Sequence, residues 1–302
     1  MSFVQQEIWG WPIAAYLFLG GLGGATFALA ALGDLFEEFD KKMLSIAVLS
    51  SMVFLGIGTL FLLSDMLQPF KAFLALSNPL SWIFWGVIFI NAFFAAATFY
   101  LIPILEVWPF LVPIIRKIPR FALNLLERFN RLAALGGATM GFLVAIYTGL
   151  LVSGAPGISF WHTPAMPLLF VVSAFSTGAA FLMLLMKFFP QSQNLVDRFE
   201  EFDAALIVSE IIILGAYFNF SFFLPNAARY SSSFLMRSPG FFIGFVLFGL
   251  FVPLGFETYG IFIAKNRKLV NNLMVFGTLL ILLGGFLLRY YVIKAGVFQY
   301  PW

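Results

Sequence analysis

The sequence predicts an all-α integral membrane protein: eight transmembrane helices in two four-helix bundles, with both termini on the extracytoplasmic side. Three observations predict it. Hydrophobic residues fill 62% of the 302 positions and charged residues only 10%, and the mean hydropathy is +0.98. A soluble domain of this size needs far more surface charge. Several apolar runs exceed about 18 residues, the length that marks a spanning helix. Finally, Lys and Arg fall unevenly between alternate connections, as the positive-inside rule requires.

The expected spans run roughly over 12–36, 44–67, 82–107, 131–153, 166–189, 204–224, 240–264 and 269–293. At about 1.5 Å per residue, each can cross a hydrocarbon core of about 30 Å. With the first terminus outside, twelve of the 17 Lys and Arg lie in inner segments, from Lys41 and Lys42 through Arg116–Arg131 to Lys265–Lys268. Lys71, Arg229, Arg237, Arg289 and Lys294 lie on the outer side. The net charge of +3 is therefore topological and gives no sign of nucleic acid. The protein reads as one polytopic domain, 1–302, of the cytoplasmic membrane, with an internal repeat of 1–153 and 154–302.

In order along the sequence, MSFVQQEIWGW has no basic segment and no cleavage-like site, so the first helix is expected to be retained. The first span, YLFLGGLGGATFALAALG, carries Gly20, Gly21, Gly23 and Gly24, which permit close helix approach. Leu60–Gly86 is the most informative stretch. An apolar run reaches Asp65, breaks at Gln68-Pro69, and resumes at Trp82 and Trp85. A carboxylate near lipid costs roughly 2.5–3.5 kcal/mol on the mildest insertion scale, so Asp65 suggests a small-molecule or proton site near one face. The alternative is a structural Asp that caps the loop or pairs with Lys71. The inner segment RKIPRFALNLLERFNR reads as a basic amphipathic surface helix. In the fifth span, Gly178–Phe181 aligns with Gly24–Phe27, which is the signal for the repeat.

Further along, Glu210 and Glu257 fall within the sixth and seventh spans, on the inner half, and each needs a partner or water. Arg289 in the eighth span is either a counter-ion or a snorkelling side chain. Together with Asp65, these residues make a proton pathway one reading; structural carboxylates satisfied by hydroxyls and Asn219 are the other. The sequence has no Cys and one His, His162. It therefore offers no thiolate metal or iron–sulfur ligand, and no bis-imidazole haem within this subunit.

Four pieces in order carry a resemblance: YLFLGGLGGATF; LLSDMLQPFKAFLAL with NPLSWIFWG; YTGLLVSGAPGISFWHTPAMPLLFVVSAFSTGAA; and GGFLLRYYVIKAG. Set on eight spans, they resemble the NrfD/polysulfide reductase membrane subunits along nearly the whole sequence. The resemblance implies a haem-free anchor without metal that exchanges electrons between bound menaquinone or ubiquinone and a four-cluster, ferredoxin-like iron–sulfur subunit. That subunit usually serves a molybdopterin catalytic subunit, and the anchor is not catalytic alone. The outer loops 68–81, 154–165 and 225–239 and the tail 296–302 would form the docking face.

On this reading Asp65 accepts a proton from quinol, which loses two protons with two electrons. The resemblance also implies that Tyr147 donates a hydrogen bond to a quinone carbonyl; an interfacial belt Tyr is the alternative. Tyr16 stands where a relative carries a histidine, and a phenol cannot take up a proton as imidazole does. His162 titrates in the range of a relay, although an exposed loop histidine is commoner. Trp82 and Trp161 are candidate walls for a quinone ring. A small-solute or ion transporter is the rival function, suggested by the Gly-rich first span and the intramembrane charges.

Overall fold

The computed structural model describes residues 3–36, 39–66, 68–115, 117–224, 226–262 and 267–299. Arg116 and Lys265 of the basic segments and residues 300–302 of the expected docking tail lie outside the described residues. Strand β1 (Phe3–Gln5) precedes helices α1 (Trp11–Phe36) and α2 (Lys41–Asp65). A 3-10 segment (Pro69–Ser77) leads to α3 (Trp82–Ile104) and the short helices α4 (Val112–Ile115) and α5 (Arg120–Arg128). Then come α6 (Asn130–Ser153), α7 (Ala165–Met186), α8 (Val196–Ser221) and α9 (Asn226–Arg237). A π-helical segment (Gly240–Phe251) runs into α10 (Val252–Phe262), and α11 (Arg267–Lys294) and strand β2 (Val297–Gln299) follow. Among the described residues, eight helical stretches are long and apolar enough to cross a membrane, as expected.

Local chemistry explains several boundaries. The Asp40 carboxylate accepts from the backbone N–H of Lys42 (2.8 Å) and Met43 (3.1 Å), capping α2. Ser81 does the same for α3 by accepting from Ile83 N–H at 3.2 Å. Pro69 has no N–H to continue α2 and instead opens the 3-10 segment, which leaves Phe73, Leu74 and Leu76 exposed. The sixth span departs from expectation. Its helix begins at Val196 rather than near 204, because Glu200 and Asp203 turn into the bundle instead of ending at its surface. Glu210 accordingly sits near the middle of α8 and not on its inner half.

At the centre stands α1, packed on α2, α6, α7 and α11. Two close approaches explain its glycines. Gly24 and the backbone of Gly141 on α6 meet face to face, and a Cβ on either would run into the other's carbonyl. A Cβ on Gly23 would stand 2.6 Å from the Ser51 carbonyl oxygen of α2. Small residues let such backbones touch where lipid supplies no hydrophobic drive. In the first four spans, α1 packs on α2 and α6, and α3 on α2 and α6. The last four repeat that order: α7 packs on α8 and α11, and the π–α10 span packs on α8 and α11.

The two terminal segments meet on one face. Phe3 pairs with Gln299 and Gln5 with Val297 in an antiparallel ladder. Below it, the Gln6 amide donates to the carbonyls of Trp9 and Ile293, each at 2.9 Å. Trp9 stacks on Trp161 with centroids 5.2 Å apart, and the Trp161 indole donates to the Val292 carbonyl at 2.8 Å. We call this the terminal face, and the opposite end, which carries Lys41 and Arg131, the basic face.

Candidate functional site

Two polar clusters flank α1. The first begins with Tyr16, in the second turn of α1, and Tyr147, in the last two turns of α6. Each is only 1% exposed, and their phenol groups lie side by side within hydrogen-bonding reach. Gly86 on α3 makes room for them, since a Cβ there would collide with the ring and hydroxyl of Tyr147. Phe89, one turn along, meets the same ring edge-on at 6.5 Å. Leu55 and Thr148 close the space beside Tyr16 at Gly20. The result is a pair of hydroxyls in an otherwise apolar wall, toward the terminal face.

The other expected residues of this site lie around its rim. Asp65 ends α2 half-exposed, with no hydrogen bond or ion pair to Lys71 or any other described residue. Gly58 of α2 packs against the Tyr16 carbonyl, so Asp65, seven residues further, stands about 10 Å nearer the terminal face than that level. Trp82 is 41% exposed and packs against Gly154. His162 is exposed, and its Nδ1–H donates to the Ser153 carbonyl at 2.7 Å. Trp161 is buried in the clasp of the terminal segments, where it anchors α11.

The second cluster lies across α1. Arg289 is fully buried, so it does not snorkel outward. Its Nη1 donates to Ser173 Oγ (2.7 Å) and the Gly285 carbonyl (2.9 Å), and its Nη2 to the Phe170 carbonyl (3.0 Å). The guanidinium also lies over the Phe170 ring at 5.2 Å. Glu210 faces both Arg289 and Ser173. Toward the basic face, Asp203 is within hydrogen-bonding reach of Ser176 and Glu257, and Glu200 stands near Glu257.

Glu200 and Asp203 were not expected at the site. They share one stripe of α8 with Ile207, Glu210, Leu214 and Tyr217, all buried. That three-and-four spacing is visible in the sequence and is the signal that would have found them. Between Glu200 and Glu210 the stripe covers about 15 Å. At least one buried carboxyl oxygen of each of Glu200, Asp203, Glu210 and Glu257 closes no hydrogen bond among the described residues, although polar neighbours stand nearby. Two adjacent carboxyls need a proton between them, because carboxylates have no hydrogen to donate. The arrangement sets four protonatable groups between the basic face and Arg289. Among the described residues, no group of three or more His, Cys, Asp and Glu could hold a metal.

The family model for polysulphide reductase, NrfD, matches residues 2–301. The C subunit of polysulfide reductase from Wolinella succinogenes is 25% identical over 96% of this protein and 94% of its own length. A protein NrfD homolog of Haemophilus influenzae is 23% identical, with the same two coverages of 96% and 94%. Protein NrfD of Escherichia coli is 25% identical over 71% of each sequence. With eight helices among its described residues long and apolar enough to cross a membrane, this multi-pass protein of the prokaryotic inner membrane belongs to the NrfD polysulphide reductase family.

Proposed function

We propose that this protein is the quinone-binding membrane anchor of a respiratory oxidoreductase complex. It passes electrons between menaquinone or ubiquinone and an iron–sulfur subunit docked on the terminal face, which is the extracytoplasmic one. A molybdopterin subunit would carry the catalytic site. The buried Tyr16–Tyr147 pair is the observation that carries this reading. Two phenols in an apolar wall suit a flat, apolar ring with carbonyl oxygens, which needs donors and little else. The terminal-face position of the pair keeps the electron path to a docked cluster short. Asp65, half-exposed above the pair, is an acceptor for protons leaving toward that face.

The carboxyl stripe of α8 supports a further part of the reading, in which protons travel from the basic face through Glu200, Asp203, Glu257 and Glu210 to Arg289. The similar helix order in the two halves supports a duplication, with 1–153 and 154–302 as its units.

The test is Tyr147→Phe in the intact complex, read by quinone binding and quinol-linked turnover. Loss of one hydrogen bond, about 0.5–1.5 kcal/mol, should weaken quinone binding roughly two- to tenfold. Activity with an artificial electron carrier at the partner should stay unchanged. Wild-type complex that retains no quinone when its partners are present would overturn the proposal.

A further inference from the structure

We propose that the basic face holds a dedicated site for the phosphate and headgroup hydroxyl of an anionic phospholipid, built by the first four spans. Asp34 and Leu35 of α1, Lys41 of α2, Tyr100 of α3, and Asn130 and Arg131 of α6 surround a cavity of about 230 Å3. Water occupies roughly 30 Å3 a molecule, so a headgroup fits there and acyl chains do not.

The bonding already in place decides what such a ligand must supply. Asp34 is the one described carboxylate in the lining. Lys41 Nζ binds its Oδ1 at 2.7 Å and the Tyr100 hydroxyl donates to its Oδ2 at 2.8 Å, so both oxygens are used. Arg131 has no acidic partner among the described residues. It presents a planar fork of N–H donors suited to phosphate. Asn130 Oδ1 is buried with no donor to accept from among the described residues.

A negative oxygen for Arg131 and a hydroxyl for Asn130 are together the chemistry of a phosphoglycerol group. Were the amide turned the other way, its Nδ2 would donate to phosphate instead. The surroundings favour a lipid source over a soluble one. Next to the lining residues in sequence, Phe36 is 80% exposed and Leu132 62% exposed, at the end of the spans where acyl chains begin. The amphipathic helix α5, which leads directly into α6, exposes Phe121 and Leu125 and belongs at the same headgroup level.

The experiment is native mass spectrometry of the delipidated complex, titrated with phosphatidylglycerol, phosphatidylethanolamine or free glycerol phosphate. One phosphatidylglycerol should be retained in preference to phosphatidylethanolamine. Arg131→Gln should lower its retention about tenfold, the share of a charge-assisted bond. Asn130→Leu should lower it less, and Arg131→Lys should restore part. Thermal unfolding without added lipid should match wild type in all three variants. Equal retention of both lipids, or retention indifferent to Arg131→Gln, would overturn the site. Saturation by free glycerol phosphate in place of lipid would overturn the lipid assignment.

Discussion

At the level of single residues, the structure turns on side chains that have no freedom to be anything else. Gly86 is one. Its hydrogen faces the Tyr147 phenol, and Gly86→Ala forces that ring out of line with Tyr16. Overpacking of this kind costs about 1–3 kcal/mol. Quinone affinity is expected to fall further in Gly86→Ala than in Tyr147→Phe, with the complex still assembled; equilibrium titration of bound quinone reads the difference. Arg289 is another. Arg289→Met removes donors from Ser173 and Phe170 and leaves Glu210 without its cation. Leaving buried acceptors without their donor costs about 1–3 kcal/mol. Adding Glu210→Gln should recover part of that loss, which thermal unfolding in detergent measures as a double-mutant cycle.

At the level of the helices, close approach is what holds α1 in place. Gly24→Ala should destabilise the fold by about 1–3 kcal/mol, because Gly141 offers backbone and not a flexible side-chain end. Gly215→Ala on α8 has nothing within 4 Å of its new methyl and should be silent. Comparing the unfolding temperatures of the two variants checks this directly. The spans themselves were legible in the sequence, since eight apolar runs and their basic flanks follow from solvation in lipid. The start of α8 was not. Hydropathy places VDRFEEFD outside the membrane, whereas two of its carboxyls are buried by neighbours on α7 and α10 that no local window sees. The candidate site was half legible. Tyr16 and Tyr147 were expected, and the fold brings them together. Asp65, Trp82 and His162 stand around the rim rather than beside the pair, because their distance from it is set by helix offsets rather than by residue type.

At the level of the whole molecule, the two clusters divide the chemistry. The tyrosine pair belongs to the first four spans and the carboxyl stripe to the last four, and α1 carries Tyr16 and meets Arg289 at Gly21. Asp203→Asn combined with Glu257→Gln should leave electron flow from quinol largely intact in reconstituted vesicles. Proton movement from the basic face should fall at least about tenfold, as loss of a proton-transfer group does. A pH-sensitive dye on either side of the membrane reads the two quantities separately.

The glycines of α1 carry one more consequence. Gly20 looks toward Thr148, Leu55 and Tyr16, while Gly21, the next residue, looks toward Ala174 and Arg289. Neighbouring residues on a helix point about 100° apart, so a single turn of backbone is the party wall of two rooms. That wall is clamped by backbone contacts on α2 and α6 and has no slack. Any roll or slide of α1 that widens the space around the tyrosines must press on the guanidinium behind it. The two clusters thus share one piece of backbone, less than one turn of helix long.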